Sequence, residues 1–375
     1  MKTTLLISLL AFICDLAVYS QTIYVDSNAG DDNNAGTKEA PVFSIQKAAE
    51  IIRSRDNNIY TMKINPGIYV LDSHVSVATE KEMTDKRIII EASILPDDPS
   101  WTPEKMPVII TKSKKGEILA KDLWIKDNWI VSFFIDESHV TIRGMKFLGH
   151  NYPVNLYYPI ARFNKDKTDL LVEQCMFVGD LQASAIQVGV IGHGNGIKVD
   201  HCVFYNANNA VIYWEDSGNG SNTGNSLTHC IIYGASGTAM YTVAPNKDFL
   251  FANNIVSNCK YVWVKSVSDT TAYSINNSII VNNQHCLVDE NYSPKDSELT
   301  ENNITKDGNI SLRMIKTVFQ PIPVDHLHVI PESLGYDIGA GLFKSVKKTE
   351  MNVSSSVPKF LGNGIFKPNL LICME

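Results

Sequence analysis

Between Val140 and Val288 the chain repeats one phrase about every 23 to 29 residues: a short apolar strand, a polar corner and a second apolar strand. In register it reads Leu171-Val172-Glu173-Gln174-Cys175-Met176-Phe177, then Ile197-Lys198-Val199-Asp200-His201-Cys202-Val203-Phe204. It continues as Leu227-Thr228-His229-Cys230-Ile231-Ile232, Leu250-Phe251-Ala252-Asn253-Asn254-Ile255-Val256 and Tyr273-Ser274-Ile275-Asn276-Asn277-Ser278-Ile279-Ile280. No helical period intervenes, and a unit this short buries its apolar residues only by stacking on copies of itself. The pattern predicts an all-β solenoid, a right-handed parallel β-helix in which each coil adds one rung to every sheet.

Aligned in this way, Cys175, Cys202 and Cys230 share a corner site with Asn254 and Asn277 of the later coils. A free thiol packs as a small hydrophobe and an Asn bonds its stacked neighbours, so the site reads as structural. The His-Cys pairs at 201/202 and 229/230 raise a metal site as the rival. Adjacent strand residues face opposite sides, which keeps the members of a pair off one ion, and no metal site is expected. His201 and His229 are expected to form an outward stack at the corner.

The chain opens with Lys2, an apolar stretch from Leu5 to Ile13 and a small residue, Ser20, before Gln21. This reads as a secretory signal over residues 1–20, interrupted by Asp15 too early to span a membrane. Ile13 before Cys14 does not suit a lipid anchor. A secreted, monomeric protein with no membrane anchor is expected, as one domain over 21–375, with regular coils over about 138–310 and a C-terminal cap over about 311–343. An apolar fraction of 44% excludes disorder, and a net charge of −7 argues against nucleic acid as a partner. The spacing of Cys259 and Cys286, one coil apart, allows a disulfide.

Ahead of the repeats stand the strand Thr22-Ile23-Tyr24-Val25 and a Gly/Asn/Asp loop, Gly30-Asp31-Asp32-Asn33-Asn34-Ala35-Gly36-Thr37. Pro41 to Ile52 follows with apolar residues at helical spacing after a Ser44 cap, and is expected to plug the open end of the solenoid. Ile64-Asn65-Pro66-Gly67-Ile68-Tyr69 reads as the turn into the first coil. The segment from Asp72 to Lys126 is irregular, with a surface loop from Leu95 to Pro107. The Tyr-Val-Asp-Ser opening, the Gly/Asn/Asp loop, the Ile-Gln-Lys-Ala-Ala helix and the Pro-Gly-Ile-Tyr turn together resemble the start of secreted pectate-lyase-like β-helix proteins. A closing Asp337-Ile338-Gly339-Ala340 phrase is similar to their C-terminal cap. The resemblance implies a carbohydrate-active protein, among whose relatives are lyases of pectin, alginate and chondroitin as well as glycoside hydrolases.

In such a fold, catalytic groups project from one sheet and the loops beside it. The strand after each corner loop is the expected one, and Arg162, Gln187, Tyr241 and Lys265 are placed on its outer face, on rungs about 4.8 Å apart. Elimination from a uronic acid needs a cation or amide on the carboxylate, a base and an acid. Arg162 and Gln187 suit the first task, and Lys265, Tyr241 or His193 suit proton exchange. His193 lies in a Gly-rich loop, Gly189 to Gly196, that permits close approach of a ligand. The expected function is therefore a carbon–oxygen lyase acting on acidic poly- or oligosaccharide, with Tyr213, Trp214, Glu215 and Asp216 in the substrate site.

Hydrolysis by Glu215 and Asp216 is the first alternative, weakened because adjacent carboxylates point apart and the flanking rungs at 187 and 241 carry none. Noncatalytic sugar binding on Tyr213, Trp214, Tyr241 and Trp263 is the second. The acidic pairs Asp31-Asp32 and Asp289-Glu290 stand alone, so calcium is permitted but not demanded, and no other cofactor is expected.

Overall fold

The computed structural model describes residues 20–55, 59–79, 86–113, 129–151, 156–214, 222–243, 246, 248–266, 273–306, 312–314, 327–329 and 338–344. Three parallel sheets wind as a right-handed β-helix: sheet A has 10 strands, and sheets B and C have 8 each. The chain passes A to B to C and returns to A one rung further along. Branched and aromatic residues stack in register down each interior. In sheet A the ladder runs Ile23, Met62, Ile90, Ile142, Val172, Val199, Leu227, Phe251, Ile275, and every member is buried. In sheet B, Phe147, Phe177 and Phe204 lie face on face, with ring centroids 5.2 and 4.6 Å apart. Each ladder is a run of apolar side chains filling the same slot in successive coils, so burial and strand pairing reinforce each other.

The coils begin before the expected start. Ile59–Ile64, Val75–Val77, Arg87–Ala92 and Val108–Thr111 all pair in register with the later strands. Their runs, such as Ile88-Ile89-Ile90, lack the polar corner phrase, which is why the pattern alone passes over them. Helix α1 (Ile45–Arg53) buries Ile45, Ala48, Ala49 and Ile52 against the first strands of sheets A and C and so closes the N-terminal end. Ser44 caps it through Oγ to the Lys47 N–H at 3.1 Å, and the Asp32 carboxylate accepts from the N–H groups of Phe43 and Ser44. The Gly/Asn/Asp loop thus pins the plug in place.

The A-to-B corner is a single residue in the left-handed conformation. Gln174, His201, His229, Asn253 and Asn277 occupy it with φ of 51, 49, 50, 57 and 39°. The next position, filled by Cys175, Cys202, Cys230, Asn254 and Ser278, turns inward: Asn254 Oδ1 accepts from the Cys230 N–H at 2.8 Å, and Ser278 Oγ from the Asn254 N–H at 3.1 Å. Asn277 therefore belongs to the histidine row, one place from the cysteine row in which the pattern set it. The described cysteines are free thiols. Cys259 has Asn283 as its neighbour on the next coil, whose Oδ1 accepts from its N–H at 2.8 Å, and Cys286 lies further along that coil, so the Cys259–Cys286 bridge that the spacing allows is not formed.

Residues 338–344 lie along the flank of the solenoid and not over its end, where a cap was expected. Gln174 Nε2 donates to the Leu342 carbonyl at 2.7 Å, the Gly341 N–H to the His229 carbonyl at 2.8 Å, and the Lys344 N–H to Asp97 at 3.1 Å. Leu342 is buried with Met176, Val203, Ile231, Ile255 and Ile279 on the outer side of sheet B, and Phe343 meets Trp101 of the 95–107 loop edge to face. The strands Leu312–Met314 and Leu327–Val329 pair antiparallel. The expected signal segment lies almost wholly outside the described residues, and no described helix is long and apolar enough to cross a membrane.

Candidate functional site

Sheet C does not alternate simply, and this decides which side chains reach its outer face. Ala210 and Val211 both belong to the main core, as do Ala239 and Met240, and Val262 and Trp263. Two inward residues in succession shift the parity of everything after them. Ile212, Tyr241 and Val264 consequently turn out, while Tyr213, Thr242 and Lys265 turn in along one register row with Arg162 and Gly192.

Four expected site residues are corrected on this ground. Arg162 is 0% exposed: its Nε and Nη2 donate to the His193 carbonyl at 3.1 and 2.8 Å, and Nη2 also to the Asn195 carbonyl at 2.7 Å. Burial lowers its pKa to about 10, so the guanidinium remains charged while fastening the 194–196 turn from within. Tyr213 is interior and donates to the Ser226 carbonyl at 2.6 Å. Trp263 is interior, its indole N–H donating to Thr242 Oγ1 at 3.0 Å. Lys265 is buried and ion-paired with Glu298. None of the four is placed to touch a carbohydrate on the outer face.

Gln187 precedes its strand, where Oε1 accepts from Asn208 Nδ2 at 3.1 Å. The length of the strand, roughly 20 Å, separates it from His193. Glu215 and Asp216 lie outside the described residues. The remaining three come together on the outer face. His193 and Trp214 are register partners with ring centroids 6.4 Å apart, and Trp214 meets Tyr241 edge to face at 6.4 Å. Upstream of them the face is apolar, with Phe134, Ala161 and Ile191 beside a Trp129–Tyr158–Phe163 cluster, so the polar chemistry is confined downstream.

Tyr241 is half-buried against Tyr261, Val264 and Val288. Burial, assisted by the negative charge of Glu290 and the nearby Tyr292, raises its phenol to about 12. It is a proton donor at neutral pH, not a standing base. Glu290 accepts from Ser266 Oγ at 3.1 Å. Sequence reasoning set Glu290 aside as half of an isolated acidic pair, and passed over Lys260, Tyr261 and Tyr292. The signal that finds them is the doubled inward step, which brings Tyr241 and Tyr261 to one side.

A separate cluster sits at the A-to-B corner. The His201 and His229 rings stack 4.4 Å apart and 14° from parallel, as expected, and each donates Nδ1–H to Asp200, at 2.8 and 2.9 Å. Although Asp200, His201 and His229 bring their donor atoms within 4.8 Å of one another, an imidazole binds a metal only in its ring plane. Two stacked planes do not meet at one ion, so the cluster fits a hydrogen-bonded brace better than a metal site. Burial alone would raise the Asp200 carboxyl. Hydrogen bonds from His201, His229 and Thr228 outweigh it and hold the group below the usual carboxylate range. Its stabilisation is thus present above the ordinary value of about 3.9 and lost as pH falls through the lower folded value. Asp200→Asn should cost about 2 kcal/mol near neutral pH, with the gap to wild type closing on acidification in urea unfolding. A gap unchanged by pH would refute the assignment.

No family model and no curated protein matches the chain. Among solved structures, a rhamnogalacturonan lyase is 15% identical with a TM-score of 0.49, over 80% of this chain and 78% of that one. XylC in complex with xylose is 9% identical with a TM-score of 0.43, over 79% and 72%. A GH136 lacto-N-biosidase from Eubacterium ramulus is 9% identical with a TM-score of 0.43, over 76% and 68%. At identities and TM-scores this low, these likenesses decide neither reaction nor substrate.

Proposed function

We propose that the chain is a secreted carbohydrate-active enzyme, a carbon–oxygen lyase that works by β-elimination on uronic-acid-containing poly- or oligosaccharide. The observation that carries this reading is the outer group His193, Trp214 and Tyr241, an imidazole and an uncharged phenol on either side of an indole platform. His193 and Tyr241 stand two rungs apart, about 10 Å along the axis, which is room for one sugar ring. With the ring against Trp214, His193 takes the proton from the carbon beside the carboxylate. The electrons left behind form the carbon–carbon double bond, the bond to the β-oxygen breaks, and Tyr241 protonates the departing oxygen. That oxygen is either glycosidic, giving chain cleavage, or a ring hydroxyl lost as water.

Glu290 beside Tyr241 supports a second reading, hydrolysis, because it adds a carboxylate to this face. A panel of acidic polysaccharides and oligosaccharides, followed by ultraviolet absorbance of unsaturated uronate and by mass spectrometry, tests the first reading. New reducing ends without unsaturation would overturn it. Glu290→Gln separates the two: an eliminase should keep activity within a few-fold, whereas a hydrolase using this carboxylate should lose about 100-fold or more.

A further inference from the structure

We infer that Lys260, Tyr261 and Tyr292 form a carbohydrate subsite beside the reacting centre, one that stacks a sugar ring on Tyr292 and takes its carboxylate on Lys260. This rests on the carbohydrate reading above and names the part of the face that selects acidic sugars. Tyr292 is 60% exposed, yet its ring lies 5.2 Å from that of Tyr261 and 16° from parallel with it. The Lys260 ammonium stands over both, 5.1 Å from the Tyr261 centroid and 5.8 Å from that of Tyr292. Among the described residues no carboxylate pairs with Lys260. A cation held over aromatic faces, and left without a counter-charge, is matched by a ligand with an apolar ring face and a carboxylate at its rim.

The turn that presents Tyr292 supports display over packing. Its φ is +61°, a conformation costly for a bulky side chain, and every other described non-glycine residue with positive φ is Asn, Asp, Gln or His. The turn is held by Asp289, whose Oδ1 accepts from the N–H groups of Asn291 and Ser293, both at 2.9 Å, and whose carbonyl accepts from the Tyr292 N–H at 2.8 Å. Asn at this position would serve the backbone better, so the phenol ring is not there for the turn. Tyr261 stands on the strand next to that of Tyr241, one rung or about 4.8 Å along the axis, but in register with Thr238 and so three residues, roughly 10 Å, along the strand from Tyr241. Trp214, Tyr241 and the Tyr261–Tyr292 pair therefore step diagonally across the face, each one rung further along the axis and nearer the start of its strand, and a sugar chain laid over them crosses the strands obliquely.

The test uses the full chain with oligogalacturonate, oligoalginate and chondroitin oligosaccharide, each beside its uncharged methyl ester, with affinity read by calorimetry. Tyr292→Ala should weaken binding of acid and ester alike by about tenfold, and Tyr292→Trp should restore it. Lys260→Gln should weaken the acid by about tenfold and leave the ester unchanged, abolishing the preference for the charged form. Circular dichroism of each variant should match wild type. Turnover with affinities unchanged in both variants would overturn the subsite and leave the reaction standing. The expected affinity losses without any product would uphold the subsite and remove the reaction. A wild type that binds none of the probes would overturn both.

Discussion

Arg162→Ala should lower the unfolding free energy by about 3–5 kcal/mol, read from the urea midpoint with the slope unchanged. Two losses add. The carbonyls of His193 and Asn195 give up charge-assisted donors in a site closed to water, and the interior is left with a void the size of a long side chain. Arg162→Lys should recover only part of the difference, since an ammonium cannot span both carbonyls as a planar guanidinium does. A change below about 1 kcal/mol would mean that the turn at 194–196 is held by other contacts. Because His193 is anchored through its own carbonyl, Arg162→Ala should also reduce activity by misplacing the imidazole, and Arg162→Lys separates the two effects.

Tyr241→Phe should leave the thermal midpoint unchanged and reduce turnover by about 100-fold or more, the scale of a positioned proton donor. The ring keeps its packing against Tyr261, Val264 and Val288, so only the hydroxyl is removed. KM should change little, because stacking on Trp214 and Tyr292 survives. Full turnover in this variant, measured on the substrate found in the polysaccharide panel, would remove the phenol from the reaction.

The solenoid was legible because its residues repeat: the slot held by Val172, Val199, Leu227, Phe251 and Ile275 is the same slot five times over. The histidine stack was legible for the same reason. The site was less so. Strict alternation set Tyr261, Trp263 and Lys265 on one side, and nothing in the sequence announces that Val262 and Trp263 both turn in. The size of Trp263 needs the interior, and its packing onto Phe251 at 5.7 Å supplies the reason only once the coils are wound. Arg162 misled in another way. A guanidinium in a strand suggests solvent, and what draws it inside is a set of loop carbonyls more than 30 residues away in sequence. Tyr241 comes together with Trp214 and His193 because the fold sets it just past the doubled step and sets the other two at strand ends.

The flank segment 338–344 changes how such a protein comes apart. In a stack where each coil touches only the next, an end can peel away one turn at a time, and the middle need not respond. Here a single short cord is knotted to Asp97, to Glu173 through Lys344, and to His229, across roughly 20 Å of the axis. The coils between these knots cannot part from one another without first slipping the cord. The coils from Asp97 to His229 consequently give up the independence of their turns and open as one body, like a spring whose windings have been lashed together along one side.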